Sequence, residues 1–383
     1  PESILMRWPR TSGCCVSMPD GKLRSTRRRL LGGLAGVGMA ATTGCLGTLE
    51  AAGFQPESAW RDPPLVEDRP NAVYLPAITE GMKMYGMTTS GPYGLAVMYS
   101  YPHRFWTVTG DEVGKTVVEA DDSIHLMVSL WDKETGTTLP IDSGITIEIT
   151  NDDGLVTQEV AYPMLSQQMG LHYGANYELS GEGSYTATVR VGGVPLRRTG
   201  TLSGRLESVQ TAAFDFEFDT DDLHDVSIRE VEDAGSRGAV STMEMDMKVP
   251  LGRAPSIDSM PGTHFGRATS GDALFDAFIV KQGSRFDVDG SYVYLSTRTP
   301  YNQIVLPMMG LTLSVRRDGT TVLDRRLERT LDPEAGYHYG TGGVRLTSAD
   351  DITITIDVPP QVARHDGYET AFIEMDTVSL DSR

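Results

Sequence analysis

The sequence predicts an all-β protein built from two tandem β-sandwiches. Three observations carry this: short alternating runs, no long helical stripe, and an internal repeat. The runs include Gly94–Tyr99, Ser123–Leu130, Ile145–Thr150, Ser184–Val191, Phe214–Phe218, Tyr292–Ser296, Leu311–Val315 and Ile352–Val358. Each alternates apolar and polar residues with period two, favours β-branched side chains, and is bounded by Gly, Asp or Asn. Many short strands with Gly-rich turns suit packed antiparallel sheets.

The repeat divides the chain. Gly86-Met87-Thr88-Thr89-Ser90-Gly91 resembles Gly266-Arg267-Ala268-Thr269-Ser270-Gly271, and Arg104-Phe105 resembles Arg285-Phe286. His172-Tyr173-Gly174 recurs as His338-Tyr339-Gly340, and the segment 194–200 aligns with 361–367. Matches kept in one order mark a duplicated unit. The expected organisation is a signal peptide over 1–44, a tether over 45–70, a first sandwich over 71–220, an acidic linker over 221–239 and a divergent second sandwich over 240–383.

The N-terminal segment reads as an address. Arg27, Arg28 and Arg29 precede the uncharged run Leu30–Ala41, which is too short to span a bilayer, a task that takes about 20 apolar residues. Paired arginines before a short apolar run indicate a twin-arginine export signal. Thr42-Thr43-Gly44-Cys45 resembles a lipobox, so Cys45 is expected to carry lipid and anchor the chain to the outer face of the membrane. Cys14 and Cys15 fall in the leader, leaving no disulfide framework and no cysteine metal cluster in the remainder.

Charge narrows the partners. The chain carries a net −19; residues 1–44 hold seven Lys/Arg and two Asp/Glu, so the remainder holds 26 and 50, a net charge near −24. Nucleic acid is excluded as a partner, because no basic patch is present to neutralise phosphates. Acidity spread along a lysine-poor chain suits a halophile, where screening lengths shrink to about 3 Å at molar salt.

No nucleophile elbow, P-loop, HExxH or strand–helix GxGxxG signature occurs, and the chain is not expected to be an enzyme. A metal site is the better chemical reading. Alternation in Ile124-His125-Leu126-Met127 puts His125 and Met127 on one strand face. Pro163-Met164 leads through a polar turn to His172. Imidazoles and thioethers together form a soft to borderline donor set. The blander reading of each residue is core packing. Met82, Met84 and Met87 fit either a soft-ion shuttle or packing at the sandwich end. Met243, Met245 and Met247 read as one packed strand face, Asp287-Val288-Asp289-Gly290 as a turn, and His103 as structural.

At this point the stretch Ile124–Val191 resembles the periplasmic high-affinity iron-transport proteins, an Ig-like sandwich family that works beside iron permeases and binds copper or iron. The resemblance rests on Ile124-His125-Leu126, Pro163-Met164, His172-Tyr173-Gly174-Ala175-Asn176 and Gly183-Ser184-Tyr185. It implies that His125, Met164 and His172 fall on metal ligands, with Met127 standing where the family has a glutamate. The Met164-to-His172 spacing is one residue longer than the family pattern, which makes Met169 a rival ligand. The family's last histidine aligns with Arg198 in the first repeat and His365 in the second. In the second repeat His338 is kept, while Tyr294 and Ser296 align with His125 and Met127. The two halves would then imitate a family homodimer, and a homodimer of the chain itself is a further expectation.

The functional expectation is a lipid-anchored protein that captures ferrous iron or copper and passes it to a membrane permease. The alternative is a non-catalytic Ig-like surface protein with no metal site; a hydrolase with paired carboxylates in a cleft ranks third.

Overall fold

Strands form where the period-two runs lie, and each run named above falls in a strand. The computed structural model describes residues 63–141, 145–243, 248–343, 345–347 and 349–380. The export signal, Cys45, the tether up to residue 62, and Met245 and Met247 lie outside the described residues. The first half holds β1 (Ile78–Glu80), β2 (Lys83–Ser90), β3 (Tyr93–Ser100), β4 (Phe105–Thr109), β5 (Glu112–Thr116), β6 (Asp122–Asp132), β7 (Ile145–Asn151), β8 (Gly154–Ser166), β9 (Gly170–Glu178), β10 (Gly183–Val191), β11 (Arg197–Arg198) and β12 (Gln210–Phe218). A helical turn, Thr220–His224, leads to β13 (Ile228–Glu230). The second half holds β14 (Thr263–Ser270), β15 (Ala273–Val280), β16 (Tyr292–Arg298), β17 (Gly310–Arg317), β18 (Thr320–Arg326), β19 (Glu328–Asp332), β20 (Gly336–Gly342), β21 (Asp350–Val358), β22 (Ala363–Arg364) and β23 (Val378–Leu380).

In the first half one leaf runs β12-β10-β7-β8 and the other β8-β9-β6-β3-β2. Strand β8 turns the corner between them: up to Ala161 it pairs with β7, and from Tyr162 it pairs with β9. The second half repeats this plan, with leaves β18-β17-β21-β23 and β19-β20-β16-β15-β14. There the corner strand is broken at Leu327 into β18 and β19. The Thr-Ser-Gly motifs mark equivalent hairpins, β2–β3 and β14–β15. Gly91 and Gly271 take φ of +55° and +51° at the turns, and both hairpins bulge just before Gly86 and Gly266. A left-handed turn residue is what Gly supplies without steric cost.

The His-Tyr-Gly strings each serve three purposes. Tyr173 donates to the Leu139 carbonyl at 2.6 Å and accepts from the Ile141 amide. Tyr339 likewise donates to Leu306 and accepts from Met309. Gly174 and Gly340 leave room for a side chain of the neighbouring strand: a Cβ on Gly174 would lie 2.8 Å from His125 Nε2, and one on Gly340 would lie 2.0 Å from the Tyr292 hydroxyl. The histidines point to the opposite sheet face from the tyrosines.

The halves exchange strands. From the second half, β22 enters the first sheet, pairing parallel with β8 (Ala363 opposite Met164) and antiparallel with β4 (Arg364 opposite Trp106). Reciprocally, β11 pairs parallel with β19, Arg197 opposite Thr330. The acidic linker also folds back: β13 pairs with β1, and the Gly235 and Gly238 amides donate to Leu75 and Val73. One continuous hydrophobic core therefore includes residues of both halves, among them Leu126, Tyr173, Val293 and Tyr339.

This packing covers both faces of several strands. Strands β3 and β16 are buried at every position, unlike the half-exposed strands that clean alternation describes. Ile124, Leu126 and Val128 face the core, which turns His125 and Met127 to the outer face of that leaf.

Gly340→Ala is expected to destabilise the chain by about 1–3 kcal/mol through the forced shift of Tyr292. Urea unfolding midpoints measure this, and the histidines of the first half should keep their arrangement.

Candidate metal centre

Four histidines meet on the outer face of the first leaf. His125 comes from β6, His172 from β9, His103 from the loop between β3 and β4, and His365 from the residue after β22. Ring centroids lie 3.9 Å apart for His103 and His125, 4.8 Å for His103 and His365, 5.2 Å for His172 and His365, and 5.9 Å for His125 and His365. One ligand nitrogen each from His103, His125 and His365 can be chosen so that all three lie within 4.8 Å of one another. Such a group can close around one ion.

The hydrogen bonds aim the same nitrogen of three rings inward. Asn176 fixes the pattern. Its Nδ2 donates to the His103 carbonyl at 3.1 Å and its Oδ1 accepts from the His103 amide at 3.4 Å, which sets the amide's orientation. That Oδ1 also accepts from His125 Nδ1 at 2.7 Å, so Nδ1 carries the proton and Nε2 a lone pair. His172 Nδ1 faces the Gly170 carbonyl at 3.3 Å and His103 Nδ1 the Tyr101 carbonyl at 3.0 Å, with the same consequence. The Nε2 atoms of His103, His125, His172 and His365 are buried, and none has a hydrogen-bond partner in the protein. Other buried polar atoms are also unpartnered, but these four belong to one group of touching rings, and three of them bring ligand nitrogens within 4.8 Å of one another, which is what a bound ion would use.

Electrostatics separate the four rings. Burial pulls His172 down to about 4 and, with neighbouring imidazoles, pulls His125 and His365 well below the usual histidine value. Burial also opposes charge on His103, but the Glu80 carboxylate, 3.2 Å from its Nδ1, and the Tyr101 carbonyl together raise it.

The thioethers fall into two groups. Met164 is fully buried, stands in register opposite His172, and packs with Phe105 and Ala363. Directly opposed residues of paired strands share a face, so Met164 belongs with the histidines. Met169 sits in the β8–β9 turn and packs with Met98 and Met127 instead. Met127 lies in register with Met98 on one side and Gly174 on the other.

His338 is not part of this cluster. Its Nε2 lies 3.1 Å from the Tyr292 hydroxyl and its Nδ1 3.0 Å from the Gly336 carbonyl, among Phe286, Tyr292 and Tyr294. Strand register also corrects the alignment of the halves. Tyr292 and Tyr294, not Tyr294 and Ser296, occupy the places of His125 and Met127, because Gly340 faces Tyr294 as Gly174 faces Met127. Thr330 stands in the place of Met164. The place of His365 is held by Thr199, not Arg198: the Thr199 amide donates to Leu331 as the His365 amide donates to Leu165. The second face is filled with stacked rings, Phe278 on Tyr294 and Phe286 on Tyr292.

The sequence missed His103, Glu80 and the bridging part of Asn176. The available signal was the short Tyr101-Pro102-His103 step after β3, whose last residue, Ser100, lies opposite His125.

Comparison with known proteins gives three findings. Residues 258–381 match a domain family of unknown function, DUF7350. No curated protein matches the chain. Among solved structures, the chain is similar to a copper-bound variant of FetP from uropathogenic Escherichia coli strain F11, at 22% identity and TM-score 0.30, covering 36% of this chain and 97% of that one. It is also similar to a copper-bound variant of Campylobacter jejuni P19, at 19% identity and TM-score 0.29, covering 36% and 98%.

A pH prediction follows from burial. His125, His172, His338 and His365 are held neutral in the fold, with His172 and His338 lowered to about 4. In the unfolded chain each titrates near 6.5. Between those values the unfolded state binds more protons, so stability rises with pH and is lost on acidification. His103, raised by Glu80, contributes with the opposite sign. The metal-free chain should show a urea midpoint that falls as pH drops from about 6.5 toward 4. A midpoint flat across that window contradicts the neutral assignments.

Proposed function

We propose that this chain is an extracytoplasmic, lipid-anchored protein that captures copper or ferrous iron and hands the ion to a membrane permease. The observation that carries the reading is a group of four neighbouring buried imidazoles whose Nε2 atoms have no partner in the protein, three of which, His103, His125 and His365, bring ligand nitrogens within 4.8 Å of one another, with His172 packed against His365. His125, His172 and His365 would be the principal ligands, with Met164 beside them and His103 closing the group. Neutral imidazole accepts copper, iron or zinc, and a thioether tilts preference toward copper. No Asp or Glu belongs to the grouped donors, and Glu80 reaches them only through His103.

Export and anchoring rest on the arginine pair and Cys45, which would put such a site outside the membrane and near it. Among the described residues no helix is long and apolar enough to cross a membrane. The net charge of −19, read as cation-attracting instead of as halophile adaptation, would raise the local cation concentration wherever screening is weak. Transfer to a permease is the step that a tethered, cation-attracting carrier would serve.

Two measurements test this. Metal content and competition titrations should give one tightly held ion per wild-type chain, with His125→Ala/His172→Ala abolishing retention; equal affinity in the double variant would sink the reading. Asn176→Leu keeps every ligand but removes the group that orients His125 and His103. It should lower affinity by about 10–100-fold. Lipidation is checked separately by mass spectrometry of the exported chain against Cys45→Ser.

A further inference from the structure

The methionines outside the histidine group point to a way in for the ion. A cavity of about 90 Å³ opens beside the cluster, and its lining includes His103, His365, Glu80, Met82, Met127 and Met169. Met127 and Met169 are almost fully buried, and Met82 is half-buried. Met84, Met98 and Met127 form a registered row across β2, β3 and β6, and they pack with Met82 and Met169. The adjacent row on the same face is Ser100, His125 and Asn176.

Packing alone does not account for this choice of residue, because the chain contains its own control. In the second half the same sheet positions carry His264, Phe278 and Tyr294 in place of Met84, Met98 and Met127. Phe278 stacks on Tyr294 and tilts against His264, and the thioether packed with them, Met260, lies outside the row. Sulfur fills the row in the half whose clustered imidazoles have unpartnered Nε2 atoms, and rings fill it in the half whose His338 is bonded at both nitrogens. The buried Nε2 atoms also need a route from solvent, and the methionine-lined cavity reaches two of the four rings.

We infer that Met82, Met127 and Met169 form a loading path for a soft monovalent ion, Cu(I), which passes along thioethers before it reaches the imidazoles. This rests on the metal-binding reading above and adds the oxidation state and the entry route. A thioether is a neutral, polarizable donor that favours Cu(I) over borderline divalent ions. The ion enters and leaves as Cu(I), so no electron is exchanged.

The test is the rate of loading in the full-length chain with Met82→Leu/Met127→Leu/Met169→Leu, which keeps apolar volume and removes sulfur. Stopped-flow transfer of Cu(I) from bicinchoninate should slow by about tenfold, equivalent to about 1.4 kcal/mol on the entry barrier. The equilibrium stoichiometry should stay as in wild type. Zn(II) loading from a pyridylazo dye should keep its rate, since it gains little from thioethers. Unchanged Cu(I) loading overturns the inference, and so does equal slowing of Zn(II), which would reveal an effect of shape. Met82→Leu alone, at the half-buried rim, should give a smaller slowing in the same direction and serves if the triple variant does not fold. The two readings fail differently. Wild type that retains no Cu(I) overturns the histidine site and this path with it, whereas intact retention with unaltered loading in the leucine variants overturns the path only.

Discussion

The site depends on one parallel strand pairing. Strand β22 is only two residues long, yet it joins β4 and β8 and so brings His365 from the second half to His172 of the first. Two residues of ladder are weak by themselves. Arg364 holds them in place: its guanidinium is fully buried and donates to the carbonyls of Pro360, Ala371 and Phe372. Burial lowers its pKa to about 9, with Glu369 opposing the shift. Burying a cation is costly, and here the two Nη groups are bonded while Nε is not; removing the side chain would take a donor from three interior carbonyls. The loop that presents His365 is thereby fixed from inside, and the cluster is assembled only when both halves are docked.

Docking is also what makes one face of the duplicated fold reactive and the other inert. The reciprocal strand, β11, enters the second half by the same geometry, but delivers Thr199, whose hydroxyl donates to Asp332 at 2.9 Å. Around it, Tyr292, Thr330 and Thr199 replace His125, Met164 and His365. His338 survives because the Tyr292 hydroxyl meets its Nε2. A histidine with both nitrogens satisfied is a core residue, whereas His172, with the same backbone and the same Nδ1 contact, is left with a bare nitrogen. Partner identity, not the histidine itself, separates the two copies.

Much of this was legible in the sequence, for identifiable reasons. The strands follow from period-two runs, and the duplication from the Thr-Ser-Gly and His-Tyr-Gly strings, which serve backbone requirements that recur in both copies: a left-handed turn, a tyrosine pinning a loop, a glycine yielding space. His125, Met164 and His172 could be grouped because motif order preserved their places, whereas His365 was legible only as a residue of the second repeat, which the strand exchange carries to the first. What was not legible depends on register. An offset of one residue separates Thr199 from Arg198, and one of two separates Tyr292 from Tyr294, which single-sequence alignment across variable loops does not resolve. His103 escaped because nothing in a Tyr-Pro-His loop says that Asn176, more than 70 positions away, holds it with both arms of its amide.

The charge balance of the site argues on the same side as its donors. Arg104 meets Asp366 at 2.7 Å, so those two charges cancel at the cavity wall. Glu80 is the carboxylate in contact with the cluster, and it acts through His103. An ion bound among neutral imidazoles and thioethers therefore meets at most one nearby negative charge. Desolvation cost rises with the square of the ionic charge, so on the Cu(I) reading a divalent ion would leave more of its hydration uncompensated here than a monovalent one. Acidic residues are abundant elsewhere on the chain, and hard divalent ions would be served by oxygen ligands. On the Cu(I) reading proposed above, their scarcity among the grouped donors would be a selective feature, favouring an ion of soft chemistry and low charge.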